Sequence, residues 1–135
     1  QAMLVPESAG VMFTVNPVNG EKNQIMIEGS FGLGEMVVQG AVTPDNYIVS
    51  RRANKVTDFN IAVKEKMMVF QKGKNRVVPV PENKSDRAIL RENQVLELAD
   101  LGLKIERHYG RPMDIEWVFQ NDIFYIVQAR PITTL

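Results

Sequence analysis

Hydrophobic and polar residues alternate most regularly near the end of the chain. From Met113 to Phe119, apolar Met113, Ile115, Trp117 and Phe119 take turns with Asp114, Glu116 and Val118. In the next segment, Ile123, Tyr125, Val127 and Ala129 take turns with Phe124, Ile126, Gln128 and Arg130. Strand side chains switch faces with period two, so the two segments predict strands. With Gln120-Asn121-Asp122 as a three-residue loop, they form a hairpin in which Phe119 pairs with Ile123. Trp117 then faces Tyr125, Ile115 faces Val127 and Met113 faces Ala129, which makes one apolar face. On the other face Asp114 lies opposite Gln128, and Arg130 extends the row. Glu116 lies diagonally beside them, about 7 Å away at the backbone. A slip of one residue would destroy both faces.

The same reading extends back along the chain. Strands are expected over Ala2–Val5, Gly10–Thr14, Gln24–Glu28, Tyr47–Arg52, Thr57–Val63, Lys66–Gln71 and Arg76–Val80. Pro6 and Asn16-Pro17-Val18-Asn19-Gly20 mark turns, and Lys72-Gly73-Lys74-Asn75 marks a hairpin turn. Gly29–Gly34 is glycine-rich, with a short helix expected over Glu35–Gln39 and a stop at Pro44. Pro79, Pro81 and the polar stretch to Ser85 read as a linker. A long helix follows from about Glu92 to Tyr109, with Val95, Leu98, Ala99, Gly102, Ile105 and Tyr109 at helical spacing. Gly110 ends it, and Arg107 and His108 lie in its last turn, where positive charge suits the helix dipole. Mixed strands with one good helix predict an α+β domain.

The 135 residues make one ordinary domain with room for a real core. Lys+Arg and Asp+Glu both number 16, so nothing in the charge points to nucleic acid or an anionic membrane. No apolar run approaches the roughly 20 residues needed to cross a bilayer. Absence of cysteine excludes disulfides and thiolate metal sites, and is compatible with the cytoplasm. Gln1-Ala2-Met3-Leu4-Val5 reads as the middle of a strand, which leads us to expect further sequence before it.

The polar face of the hairpin is where chemistry is expected. Carboxylate and amide oxygens are hard ligands for Mg²⁺, which binds through few protein groups plus nucleotide phosphates. A guanidinium grips a phosphate with two hydrogen bonds. Asp114, Glu116, Gln128 and Arg130 could together hold a magnesium–triphosphate. They could equally be a solvated sheet face with an Arg–Glu pair, and spacing alone does not choose.

His108-Tyr109-Gly110-Arg111-Pro112-Met113-Asp114-Ile115-Glu116-Trp117, followed by Ile126-Val127-Gln128-Ala129-Arg130-Pro131, resembles the end of the nucleotide-binding domain of phosphoenolpyruvate synthases. Ser8-Ala9-Gly10-Val11-Met12-Phe13-Thr14 with Asn16-Pro17 is similar to the same family. So is Gly29-Ser30-Phe31-Gly32-Leu33-Gly34-Glu35-Met36-Val37-Val38-Gln39-Gly40, running into Val42-Thr43-Pro44-Asp45. The motifs occur in the family's order over nearly the whole chain, most loosely between Lys55 and Lys84.

The resemblance implies an ATP-grasp-like half-domain, residues 1–135 being the C-terminal portion of the ATP-binding domain. It implies an enzyme converting ATP, pyruvate and water to phosphoenolpyruvate, AMP and phosphate, by way of a histidine on a separate domain. By position, Glu116 and Gln128 would be Mg²⁺ ligands, Arg130 would contact phosphate and Asp114 would support the metal site. Glu35, and Glu28 with it, would face the nucleotide phosphates or the incoming histidine, and Gln1–Met3 would lie near the adenine. The partners implied are ATP, the N-terminal half of the domain and the phosphohistidine domain, with a homo-oligomeric parent left open. A related dikinase, a rifamycin phosphotransferase or a non-catalytic interaction module remain alternatives.

Other features invite weaker readings. Gly32-Leu33-Gly34 lacks the context of a dinucleotide or Walker loop. The glycines make a tight turn or, as the resemblance suggests, let backbone approach a phosphate. His108, the only histidine, is expected to cap or pack at its helix end. The seven methionines are expected to fill core. The charges over 64–66 and 72–76 are expected to be solvated strand ends.

Overall fold

The computed structural model describes residues 7–34 and 43–133. The expected strand Ala2–Val5 and short helix Glu35–Gln39 lie outside the described residues. Within them, β1 (Ser8–Phe13), β2 (Gln24–Phe31), β3 (Asp45–Ser50) and β4 (Lys55–Asn60) run as an antiparallel meander. β5 (Lys66–Gln71) and β6 (Lys74–Pro79) leave it as a separate hairpin. The helix α1 (Glu92–Tyr109) follows, then β7 (Met113–Gln120) and β8 (Ile123–Pro131). β7 returns beside β1, giving a six-stranded sheet in the order β4-β3-β2-β1-β7-β8. The α+β expectation is met.

Burial explains which face of each strand points inward. β7 alternates strictly, with Met113, Ile115, Trp117 and Phe119 buried and the residues between them half-buried. Met12, Ile25, Ile27, Tyr47 and Val49 join them on that side. α1 covers this face with Val95, Leu98 and Ala99, as its apolar spacing predicts. Its start is held by the Gln94 Oε1, which accepts the Arg91 backbone N–H at 2.8 Å. Gly110 ends it in the left-handed region at φ 73°, donating its N–H to the Glu106 carbonyl.

Two neighbouring glycines shape the centre. Gly10 and Gly29 are cross-strand partners, and Gly10 also pairs with Trp117. A Cβ on Gly10 would lie 1.9 Å from the Glu28 carbonyl oxygen, and one on Gly29 would lie 2.8 Å from Trp117 Cζ2. The strands can lie so close, with the indole against them, only without those Cβ atoms.

The hairpin differs from the expectation in register. Asn121 and Asp122 both have positive φ, 53° and 62°, and form a two-residue turn. Gln120 pairs with Ile123, Phe119 with Phe124, Val118 with Tyr125 and Trp117 with Ile126. A bulge then leaves Val127 over, after which Glu116 pairs with Gln128, Ile115 with Ala129, Asp114 with Arg130 and Met113 with Pro131. The expected apolar partners Ile123, Tyr125 and Val127 are therefore exposed, and Phe124 takes the inward position. The β5–β6 turn is tighter than expected for the same reason. Only Lys72 and Gly73, at φ 52° and 78°, form it, and Lys74 and Asn75 belong to β6.

Lys64 is a second correction. It is not a solvated strand end but fully buried, its Nζ 2.6 Å from the Asp45 Oδ1. It also donates to the Ala62 carbonyl. The Asp45 carboxylate further accepts the backbone N–H groups of Ala62 and Ile89, each at 2.9 Å. A buried charge is tolerated only when paired and hydrogen-bonded in this way. The pair ties β3 to the irregular segments on either side of the β5–β6 hairpin.

Candidate functional site

With α1 on one face of the sheet, the opposite face is left without a helix among the described residues. Strand registers fix what meets there. Val11 pairs with Glu28 on one side and with Glu116 on the other. Glu28 pairs in turn with Asn46, and Glu116 with Gln128. One row across five strands therefore reads Asn46, Glu28, Val11, Glu116, Gln128. The backbones of Glu28 and Glu116 are two strand spacings, about 10 Å, apart. The next row reads Ile48, Met26, Phe13, Asp114, Arg130. The first row carries oxygen-bearing side chains on both sides of Val11, and the second carries its two charged side chains at the β7–β8 end of an apolar stretch.

The bulge at Val127 assembles the polar part. Without it, the two-residue turn would carry Gln128 opposite Ile115 and Arg130 opposite Met113, on the helix face. With it, Glu116 is directly across from Gln128 and Asp114 directly across from Arg130. The four residues singled out from the hairpin pattern share one face, in closer pairs than the three-residue loop would give.

The chemistry of each pair follows. Arg130 donates from Nε to the Asp114 Oδ2 at 3.3 Å. That contact leaves the two terminal guanidinium nitrogens for another acceptor, and their fork suits a phosphate. Asp114 thus faces the guanidinium. Glu116 and Gln128 make no side-chain hydrogen bond to other described residues, so their oxygens are available. Two oxygen donors fit a cation that takes its remaining ligands from water and phosphate. No group of three His, Cys, Asp or Glu side chains able to hold an ion occurs among the described residues.

Glu28 lies on the same face and accepts a hydrogen bond from the Asn46 Nδ2 at 3.2 Å. Glu35 and Gln1–Met3, also expected near the nucleotide, lie outside the described residues. The Gly32 turn, at φ 79°, bridges to Met68, and Leu33 donates its N–H to the Met68 carbonyl. The glycine-rich segment thus leaves β2 against the β5–β6 hairpin. His108 is exposed in the last turn of α1, edge-to-face with Tyr109. Sequence reasoning gave no role to Asn46, whose position on this face emerges only from the β2–β3 register. It also missed Lys64, which no periodicity marks.

Residues 1–135 match the family described as pyruvate phosphate dikinase, AMP/ATP-binding domain. The chain belongs to that family. It is 48% identical over its full length to a probable phosphoenolpyruvate synthase of Methanocaldococcus jannaschii, of which it covers 11%. It is 47% identical to the phosphoenolpyruvate synthase of Pyrococcus furiosus, again over its full length and over 18% of that protein. A rifampicin phosphotransferase of Streptomyces is 41% identical over all of this chain and 16% of its own length. This member of the dikinase ATP-binding family thus spans less than a fifth of these relatives.

No helix among the described residues is long and apolar enough to cross a membrane.

Proposed function

We propose that this chain is the C-terminal portion of the ATP-binding domain of a cytoplasmic phosphoenolpyruvate synthase. The parent enzyme would pass the β-phosphoryl of ATP to a histidine on another domain and then to pyruvate. AMP, phosphoenolpyruvate and phosphate would be the products. The reading is carried by the in-register pairs Glu116–Gln128 and Asp114–Arg130 on the face opposite α1, in a chain of a family named for binding AMP and ATP.

In this reading Glu116 and Gln128 supply oxygen ligands to Mg²⁺. A cation held there would supply charge neutralisation for the nucleotide's phosphates. Asp114 holds the Arg130 guanidinium by its Nε, and the free end of the fork takes a phosphate. Glu28 and Glu35 border the same phosphates or the incoming histidine. Val11 lies between Glu28 and Glu116 on the same face, and Phe13 lies beside Asp114. Rifamycin phosphorylation is the second reading, favoured by the 41% identity to a rifampicin phosphotransferase.

The test uses the full-length parent, comparing pyruvate-dependent AMP and phosphate release from Mg-ATP in wild type, Glu116→Ala and Arg130→Ala. A pyruvate-driven reaction lost by about 10²–10³-fold in both variants supports the reading, the size expected for lost electrostatic stabilisation. Pyruvate-independent ATP cleavage lost in the same variants keeps the ATP site and overturns the acceptor. Unchanged variants overturn the site. The chain alone, offering one side of a clamp, is expected to show no submillimolar Mg-ATP binding in titration calorimetry.

A further inference from the structure

Asn46 belongs to the row that holds Glu28, Glu116 and Gln128, and its contact with Glu28 is the one side-chain hydrogen bond within that row among the described residues. Its Nδ2 donates to the Glu28 Oε2 at 3.2 Å. A carboxylate on a strand otherwise swings through several rotamers. One amide donor on one of its oxygens selects a narrow set and leaves Oε1 open to accept from a ligand. The donor itself is held firmly. Asp45, the residue before it, is fully buried and fixed by the Lys64 ammonium and by the N–H groups of Ala62 and Ile89. Asp45 also pairs with Gly29, the residue after Glu28. The start of β3 is therefore anchored to the strand that carries Glu28, and the Asn46 amide reaches the open face at a defined place.

We infer that Asn46 is a positioning residue that acts through Glu28, setting its carboxylate for the nucleotide or for the group that receives the phosphoryl. This rests on the ATP-site reading given above. A buried polar anchor beneath a single amide on the open face is more than packing requires. Leucine or valine at position 46 would suit a strand equally well.

The experiment is a double-mutant cycle in the full-length parent enzyme, read as Mg-ATP-dependent AMP formation. The variants are Asn46→Ala, Glu28→Ala and the two combined, with Glu116→Ala as the reference for the ATP site. Asn46→Ala is expected to lower kcat by about tenfold, with the KM for ATP within twofold and the unfolding midpoint unchanged. In the Glu28→Ala background the same substitution should cost nothing further. Asn46→Asp, which keeps the shape but turns the donor into an acceptor, should lose at least as much as Asn46→Ala. An equal loss from Asn46→Ala in both backgrounds would mean that it acts independently of Glu28 and would overturn the inference. So would a wild-type rate in Asn46→Ala. If Glu28→Ala is harmless while Glu116→Ala abolishes the reaction, the inference fails and the ATP site stands. If Glu116→Ala is harmless as well, the underlying reading fails with it.

Discussion

Glu116 stands directly across from Gln128 because Val127 is left over in the ladder between Gln128 and the turn. The two-residue turn and the bulge have to be taken together. The turn alone sets a register in which Gln128 and Arg130 would point toward α1. The extra residue restores the parity and sends both to the open face. Bulges re-aim side chains in this way beside functional sites.

Two single-residue deletions separate parity from sequence. Deleting Val127 regularises the ladder and keeps Glu116 opposite Gln128 and Asp114 opposite Arg130. The parent enzyme is expected to retain ATP cleavage within about tenfold, given the modest change in twist that a bulge brings. Deleting Ala129 instead shifts Arg130 opposite Ile115, onto the core face, where an unpaired guanidinium is severely unfavourable. That variant should fail to cleave ATP and should unfold more easily in urea. Equal behaviour of the two deletions would show that parity is not what matters.

The buried Asp45–Lys64 pair gives a second prediction. Removing one partner of a buried ion pair strands the other, at a cost of about 3–5 kcal/mol. Lys64→Met and Asp45→Asn should each lower the unfolding free energy by about that amount in chemical denaturation. Asp45→Asn also disturbs acceptors for two backbone N–H groups, so it should be at least as damaging. Added salt should change the loss little, because both side chains are out of reach of solvent ions. A loss under about 1 kcal/mol, the range of surface pairs, would contradict this burial.

Gly10 and Gly29 predict a difference between two similar substitutions. The Cβ of Gly10→Ala would press on backbone, the Glu28 carbonyl oxygen at 1.9 Å. That of Gly29→Ala would press on side-chain atoms, Ile89 Cδ1 at 2.7 Å and Trp117 Cζ2 at 2.8 Å. Side chains yield more readily than a hydrogen-bonded strand. Gly29→Ala should therefore cost about 1–3 kcal/mol, the usual range for overpacking, and Gly10→Ala more than that. Thermal unfolding of the two variants checks the order.

These positions also indicate what could be seen in advance. α1 has the bounds its periodicity gave, because an apolar stripe, a terminal glycine and last-turn bases all agree. β7 was equally legible, since one buried face forces strict alternation. β8 was not. Its pattern has period two in sequence, but the bulge shifts the phase midway, and nothing in Ile126-Val127-Gln128 marks which residue is extra. Lys64 was misread because its burial depends on Asp45, 19 residues earlier, and no local pattern records a partner so distant. Asn46 was missed for a related reason, since its meaning comes from Glu28 across a strand pairing.

Tyr47 supplies a pH prediction whose sign can be worked out. Burial in the core, and then the nearby Asp45 charge, push its phenol well above the ordinary value of 10.0. The folded chain therefore keeps this proton at pH values where the unfolded chain has lost it. Below pH 10 both states are protonated and the contribution is fully present. Above it the unfolded state binds fewer protons, so stability falls as pH rises, by about 1.4 kcal/mol per unit for this one group. Tyr47→Phe forfeits the hydrogen bond to Leu90, about 1 kcal/mol at neutral pH, but has no such proton to lose. Urea denaturation between pH 8 and pH 11 should show the wild type starting higher and declining more steeply, until the two curves converge. Tyr109 and Tyr125 are exposed and present in both proteins, so they add the same slope to each. Parallel curves across that range would mean that Tyr47 ionises in the folded chain as easily as in the unfolded one, and that the core around it is open to water.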